Sequence, residues 1–194
     1  KENDLLKVTG GVDLNDDGTV IFPEEMINVD GVGSEDNYLT TDYSAVLKNT
    51  YSKDFNIEFE VSDYKTTATF PKLQVALGGG RNNFYVVYKP DGTCRIEAFA
   101  GGVFQNGKYQ KGWFNSNTFT DFDKNLTHKF KIEVASDGTY SIYQDGNKLT
   151  FSMDGNSAIL KRDYETYIAD SNIKFATKGV SAKVSKITIN NGTT

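Results

Sequence analysis

Hydrophobic and polar residues alternate along most of this chain, which is the pattern of β-strands that bury one face. In the stretch DFNIEFEVSDY, four apolar residues fall on one side of the predicted strand: Phe55, Ile57, Phe59 and Val61. Similar runs recur in KLQVALGGG, NFYVVYKPDGTCRIEAFAGG, THKFKIEVASDGTYSIYQDGNKLTF and NIKFATKGVSAKVSKITINN. The chain is therefore predicted to consist of strands that each turn one face toward a core.

Short clusters of Gly, Asp, Asn and Pro separate these runs and predict tight turns. The segment KPDG, residues 89–92, predicts a hairpin because Pro presets φ and Gly accepts a positive φ. The segments SDG and DG, at 136–138 and 145–146, divide a later stretch into a three-stranded meander. About ten to thirteen such strands without an amphipathic helix predict an all-β fold, an antiparallel two-sheet sandwich. We expect one domain over residues 1–194.

Composition and charge exclude several classes of partner. The chain has 194 residues with 13 Phe, 11 Tyr and one Trp, and its net charge is −5 with acidic and basic residues interspersed. An acidic chain without a basic stripe argues against binding to nucleic acid or to an anionic membrane. No apolar run approaches the length of a membrane span, so we expect no membrane insertion. Few cysteines and many Asn, Asp, Thr and Tyr favour a bacterial domain that is extracellular or at the cell surface.

Four stretches resemble the concanavalin A-like jelly roll: DFNIEFEVSDY, FYVVYKPDGTCRIEAF, HKFKIEVASDGTYSIYQDGNKL and KVSKITI. The likeness extends over residues 19–190, and its most telling part is the meander that begins at the only histidine. The resemblance implies a jelly-roll sandwich, the fold of laminin-G-like domains, legume-type lectins and many bacterial carbohydrate-binding modules. It does not choose between sugar-binding modules, glycoside hydrolases and adhesion domains, so function has to be argued from candidate sites.

The segment AGGVFQNGKYQKGWFNSNTFTDFD, residues 100–123, is the densest mixture of aromatic and amide side chains. Sugar sites combine an aromatic platform for the apolar ring face with planar polar groups that orient the hydroxyls. The segment is rich in Gly and lacks alternation, so it is predicted to be a glycan-binding loop whose contacts are Trp113, Tyr109, Phe114 and Asn115. The alternative is that Trp113 or Phe114 packs against the edge of the sandwich and covers its core, without binding a ligand.

Two further segments supply candidate ligand contacts. In GGGRNNFYVVY, glycines allow close approach of a ligand, and Arg81, Asn82 and Asn83 are candidate contacts. Arg81 is predicted to make paired hydrogen bonds to vicinal hydroxyls or to a carboxylate sugar. In KRDYETYIAD, Tyr164 is a candidate contact within a long loop predicted over residues 157–171. The alternatives are a plain turn for the first segment and a polar covering loop for the second.

The segment VDLNDDGTVIFPEE matches the ligand spacing of a calcium-binding loop, with Asp13, Asn15, Asp17 and Glu24 as oxygen donors and Gly18 at the turn. The glycines before it and the proline near its end argue against the flanking helices of an EF-hand. Two interpretations remain open. The segment is a hairpin turn with solvated carboxylates, or it folds around a structural Ca²⁺ without flanking helices, as concanavalin A-like domains often do.

Catalytic machinery is not expected. Retaining jelly-roll glucanases carry three acids at alternate positions of one strand, whereas this chain offers Glu58 and Glu60 followed by Ser62. His128 opens a strand, and no Ser or Cys nucleophile stands beside it in a recognisable motif. Cys94 alternates with polar neighbours in a strand. A solvated strand face, a packing histidine and a small core residue are the expected roles of these groups.

These features predict a non-catalytic, lectin-like carbohydrate-binding module of a larger bacterial extracellular protein. Its partners would be a poly- or oligosaccharide glycan and other domains of the parent chain, and structural Ca²⁺ is the candidate cofactor. A glycoside hydrolase on the same fold is one alternative. A structural or protein-binding sandwich of a surface adhesin is the other.

Overall fold

Antiparallel β-strands account for nearly all of the regular structure, as the alternation predicts. The computed structural model describes residues 1–28, 43–78, 82–116, 123, 125–162 and 172–191. The strands in these ranges are β1 (Leu6–Val8), β2 (Asp13–Leu14), β3 (Val20–Phe22), β4 (Ser44–Leu47), β5 (Phe55–Lys65), β6 (Lys72–Ala76), β7 (Asn82–Tyr88), β8 (Cys94–Phe104), β9 (Tyr109–Ser116), β10 (His128–Val134), β11 (Thr139–Gln144), β12 (Asn147–Lys148), β13 (Phe151–Met153), β14 (Asn156–Lys161), β15 (Lys174–Lys178) and β16 (Ser181–Asn191). A short 3-10 helix, Glu24–Asn28, follows β3. Among the described residues, no helix has the length and apolar character needed to cross a membrane.

One hydrogen-bonded path connects the strands and folds over into two layers. Its first part, which we name sheet one, runs β1-β4-β15-β6-β7-β8-β9. Its last part, sheet two, runs β11-β10-β5-β16-β3-β2. The hairpin β13–β14 joins the two sheets, because β13 pairs with β9 while β14 pairs with both β8 and β11. The structure is thus the antiparallel all-β sandwich that the sequence predicts.

Side chains from both sheets meet at Phe59, which lies on β5 of sheet two and is buried. Its ring centroid is 5.5 Å from that of Phe130 on the neighbouring strand β10. It is also 6.4 Å from Phe84 and 5.1 Å from Phe175, which belong to sheet one. The Phe175 ring meets it edge-on, an arrangement that aromatic rings favour. Since β5 and β7 are far apart along the hydrogen-bonded path, these contacts show that the two sheets face each other.

Two segments predicted to be loops contain strands instead. Residues 100–123 contain the end of β8 and all of β9, and residues 157–171 begin within β14, the part beyond 162 lying outside the described residues. Two of the glycines that suggested a loop, Gly101 and Gly102, make room for rings on the neighbouring strand. A Cβ on Gly102 would lie 2.5 Å from Phe114 Cζ, and one on Gly101 would collide with the Tyr109 hydroxyl. At these two positions glycine serves close strand packing, whereas Gly107 lies in the turn between β8 and β9 with a φ of 84°.

The cysteine and the histidine have the structural roles predicted for them. Cys94 is a free thiol buried in the core on β8. His128 is buried at the start of β10, with Nδ1 2.7 Å from Asp145 Oδ2 and Nε2 2.7 Å from the Asp123 carbonyl oxygen. The Asp145 carboxylate also accepts a hydrogen bond from the Lys129 backbone N–H, at 2.8 Å. The imidazole therefore holds Asp145, in the turn after β11, against the start of β10.

Three hairpins share one local device, the sequence Asp-Gly-Thr at residues 17–19, 91–93 and 137–139. In each, the Asp Oδ1 accepts a hydrogen bond from the backbone N–H of the Thr two residues on, at 2.9, 2.9 and 3.0 Å. The glycines adopt φ of 89°, 88° and 84°, which a Cβ would strain. These hydrogen bonds favour the charged carboxylate and lower the pKa of Asp17, Asp91 and Asp137.

A buried arginine donates hydrogen bonds to backbone carbonyl groups from distant parts of the chain. Arg162 follows β14 directly, and 1% of it is exposed. Its Nη1 donates hydrogen bonds to the carbonyl oxygens of Tyr51, at 2.8 Å, and Ser52, and its Nη2 donates to that of Leu77. The guanidinium also lies 5.7 Å from the Phe55 ring centroid. Because five donors stand in one rigid plane, a single side chain satisfies carbonyls from two loops at once.

We expect Thr139→Val to raise the pKa of Asp137, because the Thr139 hydroxyl is the strongest of the groups that lower it and donates to Asp137 Oδ1 at 2.6 Å. Carbon-detected NMR titration of the side-chain carboxyls measures this directly. Asp17 and Asp91, whose threonines are untouched, serve as internal controls. An unshifted Asp137 midpoint would show that the hydroxyl does not stabilise the carboxylate.

The same titration fixes the sign of the pH dependence of stability. A lowered folded pKa means that these turns contribute stability above the unfolded pKa of Asp, and that the contribution is lost as the pH falls through the folded pKa. The contribution of Asp137 should therefore disappear at a higher pH in Thr139→Val than in the parent protein.

Candidate functional site

The candidate site lies on the outer face of sheet one, the face that turns away from the core on strands β15, β6, β7, β8 and β9. Strand pairing aligns its side chains in rows across the sheet. Gln74 lies opposite Tyr85, Tyr85 opposite Glu97, and Glu97 opposite Asn115. The next row places Phe99 between Asn83 and Trp113. Residues from four strands thus converge, although Gln74 and Asn115 lie 41 positions apart along the chain.

Trp113 forms the centre of an aromatic cluster on this face. Its side chain is partly exposed, at 38% of its surface, on a strand rather than in a loop. The indole lies 4.9 Å from the Phe99 ring and 5.5 Å from the Tyr85 ring, centroid to centroid. Lys72 Nζ stands over two of these rings, 4.9 Å from the centroid of Tyr85 and 5.1 Å from that of Trp113. The ring neighbours on rigid strands hold the indole in a defined orientation.

A groove of about 340 Å³ runs beside the indole and is lined by Trp113, Phe70, Arg95, Glu97 and Asn115 among others. Phe70 is 46% exposed, so it presents a second aromatic surface to the groove. Arg95 Nε donates to Glu97 Oε1 at 2.8 Å, and Nη2 of the same arginine contacts that oxygen. The groove therefore combines exposed rings with a guanidinium, a carboxylate and an amide. This is the set of groups that packs against a sugar ring and orients its hydroxyls.

Gln74 is a buried polar residue whose side-chain amide has no hydrogen-bond partner among the described residues. It is 1% exposed, although it lies on the outer face and not in the core between the sheets. Neither of its amide atoms has a hydrogen-bond partner in the described part of the chain. Burial of an amide without a partner is costly, and native structures rarely contain one without a reason.

A larger cleft lies elsewhere, where β14 separates from β11 at the edge of the sandwich. It measures about 480 Å³ and is lined mainly by apolar side chains, including Tyr140, Leu149, Phe151 and Leu160. Burial raises the pKa of the Tyr140 phenol, because the charged form loses its hydration. The groove beside Trp113 is smaller, but it alone of the two carries an exposed indole beside planar polar groups.

The structure separates the ligand contacts predicted from the sequence into two groups. Trp113, Tyr109, Asn115 and Asn83 lie on the outer face, where Tyr109 is 39% exposed and Asn83 is buried at 1%. Phe114 does not, because strand alternation turns its ring into the core, where it is fully buried.

Asn82 is likewise buried, and its Nδ2 donates to the Gly78 carbonyl oxygen at 2.7 Å. Its side chain therefore closes the end of β6 and does not reach the groove. Arg81 and Tyr164 lie outside the described residues. The structure consequently keeps four of the eight predicted contacts on one face, all of them from β7 and β9.

Sequence reasoning missed Tyr85, Phe99, Arg95 and Glu97 as parts of the site. The alternation in CRIEAFA already separates Arg95, Glu97 and Phe99 from the apolar face of that strand. What the sequence does not specify is the register, which brings Phe99 against Trp113 from the next strand. Had residues 109–116 been recognised as a strand, the hairpin β8–β9 would have predicted this contact.

The calcium-like segment forms a hairpin in the structure. Asp13 lies on β2 and Asp17 in the turn, where the Asn15 N–H donates to the Thr19 carbonyl oxygen at 2.9 Å. Glu24 begins the 3-10 helix and lies 3.2 Å from Lys65 Nζ. In the described ranges, no group of three or more His, Cys, Asp or Glu side chains is placed to hold a metal ion. Calcium binding by this segment stays a prediction from its sequence pattern.

The carboxylates weighed as catalytic groups lie on the outer face of sheet two, away from the groove. Glu58 is 3.6 Å from Lys129 Nζ, and Glu60 is 3.2 Å from Lys186 Nζ. The described lining of the groove itself contains one carboxylate, Glu97. Glycoside hydrolysis generally uses two carboxyl groups flanking the scissile bond, so the described groove offers half of that pair.

Comparison with known proteins identifies shared architecture. No protein-family model matches the chain, and no curated protein is similar to it in sequence. Among solved structures, the carbohydrate-binding module CBM66 from Bacillus subtilis matches with a TM-score of 0.53 at 13% identity, over 96% of this chain and 95% of that one. The receptor-binding domain of botulinum neurotoxin D matches with a TM-score of 0.50 at 11% identity, over 97% of this chain but 44% of that one. At such identities the likeness is one of fold, and it agrees with the all-β sandwich.

We expect Phe114→Ala to destabilise the protein by about 3–5 kcal/mol, because it removes a fully buried ring from the core. The matched control is a substitution of Trp113, the preceding residue on the same strand. Trp113→Ala should cost less than Phe114→Ala, because 38% of the Trp113 surface is exposed in the folded protein. Urea unfolding followed by far-ultraviolet circular dichroism measures both. Equal losses would contradict the assignment of these two rings to opposite faces of β9.

Proposed function

We propose that this chain is a non-catalytic, lectin-like carbohydrate-binding domain of the concanavalin A-like jelly-roll type. It binds a poly- or oligosaccharide on the outer face of sheet one. The observation that carries this proposal is the partly exposed Trp113, held between Phe99 and Tyr85 beside a groove with polar walls.

The chemistry of the groove suits a sugar better than a purely apolar ligand. A pyranose or furanose ring has an apolar C–H face, which packs on an indole and excludes water from it. Its hydroxyls need donors and acceptors in fixed directions, which Asn115, Arg95 and Glu97 provide along the groove. Because these groups stand on adjacent paired strands, little conformational entropy is lost when a ligand binds.

The setting of the domain is also part of the proposal. We place it in a larger bacterial protein that is extracellular or at the cell surface, where other domains of the parent chain accompany it. A structure of similar fold is a carbohydrate-binding module by name, which supports the ligand class. The single carboxylate in the described groove lining, already bonded to Arg95, supports binding without turnover.

We expect Trp113→Ala to weaken glycan binding at least tenfold while the protein stays folded, because aromatic anchors in a groove carry a large share of binding energy. A glycan array with the purified domain identifies the ligand, and titration then measures affinity. Because Trp113 is the only tryptophan, its fluorescence should change when the parent protein binds.

The matched control is Tyr143→Ala, which removes an aromatic ring from the outer face of sheet two. Like Trp113, Tyr143 has a lysine over its ring, with Lys131 Nζ 5.7 Å from the centroid. This variant should bind glycan as the parent does. Folded parent protein that binds no glycan on the array would overturn the proposal and favour a structural or protein-binding sandwich.

A structural calcium ion at residues 13–24 is the remaining part of the proposal. If the segment binds calcium, Ca²⁺ should raise the thermal unfolding midpoint relative to a chelated sample, because a ligand that binds only the folded state stabilises it. Asp13→Asn, which removes one negative donor, should abolish that increase. The same midpoint with calcium and with chelator would exclude a structural ion at this segment.

A further inference from the structure

We propose that the cleft between β11 and β14, together with a groove that continues from it along the β8–β9 turn, binds a small amphipathic molecule. The apolar part of this ligand enters the cleft, and its uncharged, hydroxyl-bearing head lies in the groove. The described linings of the cleft and groove share no residue with the site beside Trp113, so the inference does not rest on the proposed function.

The cleft arises from the way in which three strands pair with β14. Strand β8 pairs with it along one edge, so β11 and β13 share the opposite edge. On that edge β11 pairs at Leu160 and Lys161, and β13 pairs from Asn156 to Ala158. Ile159 falls between the two partners, and the sheet opens at this point.

The opening leads from the surface to apolar side chains of the core. Ile159 is 61% exposed, and Val103 lies opposite it on β8. Leu149, Phe151 and Leu160 belong to the core and line the same cleft. The volume of about 480 Å³ is within the range of small-molecule sites. An aliphatic chain or a ring in the cleft would remove apolar surface of both sets of side chains from water.

A polar groove of about 380 Å³ adjoins the cleft. Phe104, Gln105 and Ser157 line both, so the two spaces are continuous. The lining of the groove includes four side-chain amides, those of Gln105, Asn106, Gln110 and Asn156. Each amide can donate and accept hydrogen bonds, which is what the hydroxyl groups of a ligand require. An apolar cleft that opens into an amide-lined groove therefore fits a ligand with one apolar and one polar part.

The charged residues along the two linings favour an uncharged head. Lys108 lines the groove and Lys148 lines the cleft, and the described linings contain no carboxylate. A cationic head would therefore have like charges beside it and no opposite charge. An anionic head would gain little, because both lysines are exposed and ion pairs in water contribute little free energy.

The β8–β9 turn holds one wall of the groove in place. The Gly107 N–H donates to the Phe104 carbonyl oxygen, and the Phe104 N–H donates to the Lys108 carbonyl oxygen, both at 2.9 Å. Asn106 Oδ1 accepts from the Lys108 N–H, also at 2.9 Å, so the amide has a fixed orientation. A wall that is ordered before the ligand arrives loses little conformational entropy on binding.

The test compares three probes by NMR titration: octyl β-glucoside below its micelle concentration, methyl β-glucoside and 1-octanol. The first has both parts of the proposed ligand, and each of the others lacks one. We expect octyl glucoside to bind at least tenfold more tightly than methyl glucoside, because the chain buries apolar surface. It should bind at least threefold more tightly than octanol, because its hydroxyls bond to the amides. The methyl signals of Ile142 and Ile159, which line the cleft, should shift, and the indole N–H of Trp113 should not.

Two exposed positions test the two parts separately. Ile159→Glu places a charge at the mouth of the cleft and should weaken the binding of octyl glucoside at least tenfold. Leu126→Glu is the matched control, because 59% of Leu126 is exposed and it lies outside both linings, so it should bind as the parent does. Gln110→Ala removes one amide from the groove and should reduce the preference for octyl glucoside over octanol. Trp113→Ala should leave the affinity for octyl glucoside unchanged.

Four outcomes overturn the inference. Folded parent protein that does not bind octyl glucoside, or that binds methyl glucoside equally well, has no apolar site in the cleft. Octanol that binds as tightly as octyl glucoside overturns the role of the groove. Octyl glucoside that Trp113→Ala prevents from binding occupies the face beside the indole instead. The glycan array tests the proposed function separately, so either result can fail without the other.

Discussion

Packing of the two sheets around Phe59 is the interaction on which the rest of the structure depends. Its ring contacts Phe84 and Phe175 across the sandwich, and their burial fixes which side of each sheet-one strand turns inward. Because side chains alternate along a strand, the same burial turns Tyr85 outward from the strand that carries Phe84. The candidate site is thus a consequence of core packing: a slip of one residue in register would exchange its side chains for core residues.

A site built in this way differs from one carried by loops. The groups around Trp113 stand on paired strands, whose backbone hydrogen bonds already fix their spacing before any ligand arrives. Away from the site, Arg162 donates hydrogen bonds to the carbonyl oxygens of Tyr51 and Leu77 and so holds the loops before β5 and after β6 together. The close approach of β8 and β9 depends on Gly101 and Gly102, since a Cβ at either position would meet an aromatic side chain. Rigid placement favours recognition of one ligand geometry over broad adaptability.

The sequence predicts the strands far better than it predicts the site, and the reason is physical. Alternation is a local property, so β5, β8 and β10 can be recognised from their own residues, and the burial of Cys94 follows from its place in β8. The identity of β9 is hidden because Gly112 within it and Gly107 in the turn before it have the appearance of loop residues. Register is a relation between strands, and it brings Trp113 against Phe99, while alternation along β9 places Phe114 in the core. Arg81 and Tyr164 lie outside the described residues, so their roles as ligand contacts stay predictions.

Alternation along the strands turns different kinds of side chain outward on the two sheets. On sheet two, charges of both signs stand side by side, an arrangement that keeps a surface soluble without attracting a particular partner. On sheet one, the partly exposed Trp113, the Arg95–Glu97 pair and a buried amide occupy neighbouring rows. Stability alone does not call for that combination, because exposed aromatic surface gains nothing from folding and a buried amide without a partner costs free energy. A ligand that stacks on Trp113 would cover ring surface that the fold leaves exposed, and for this reason the candidate site lies on sheet one.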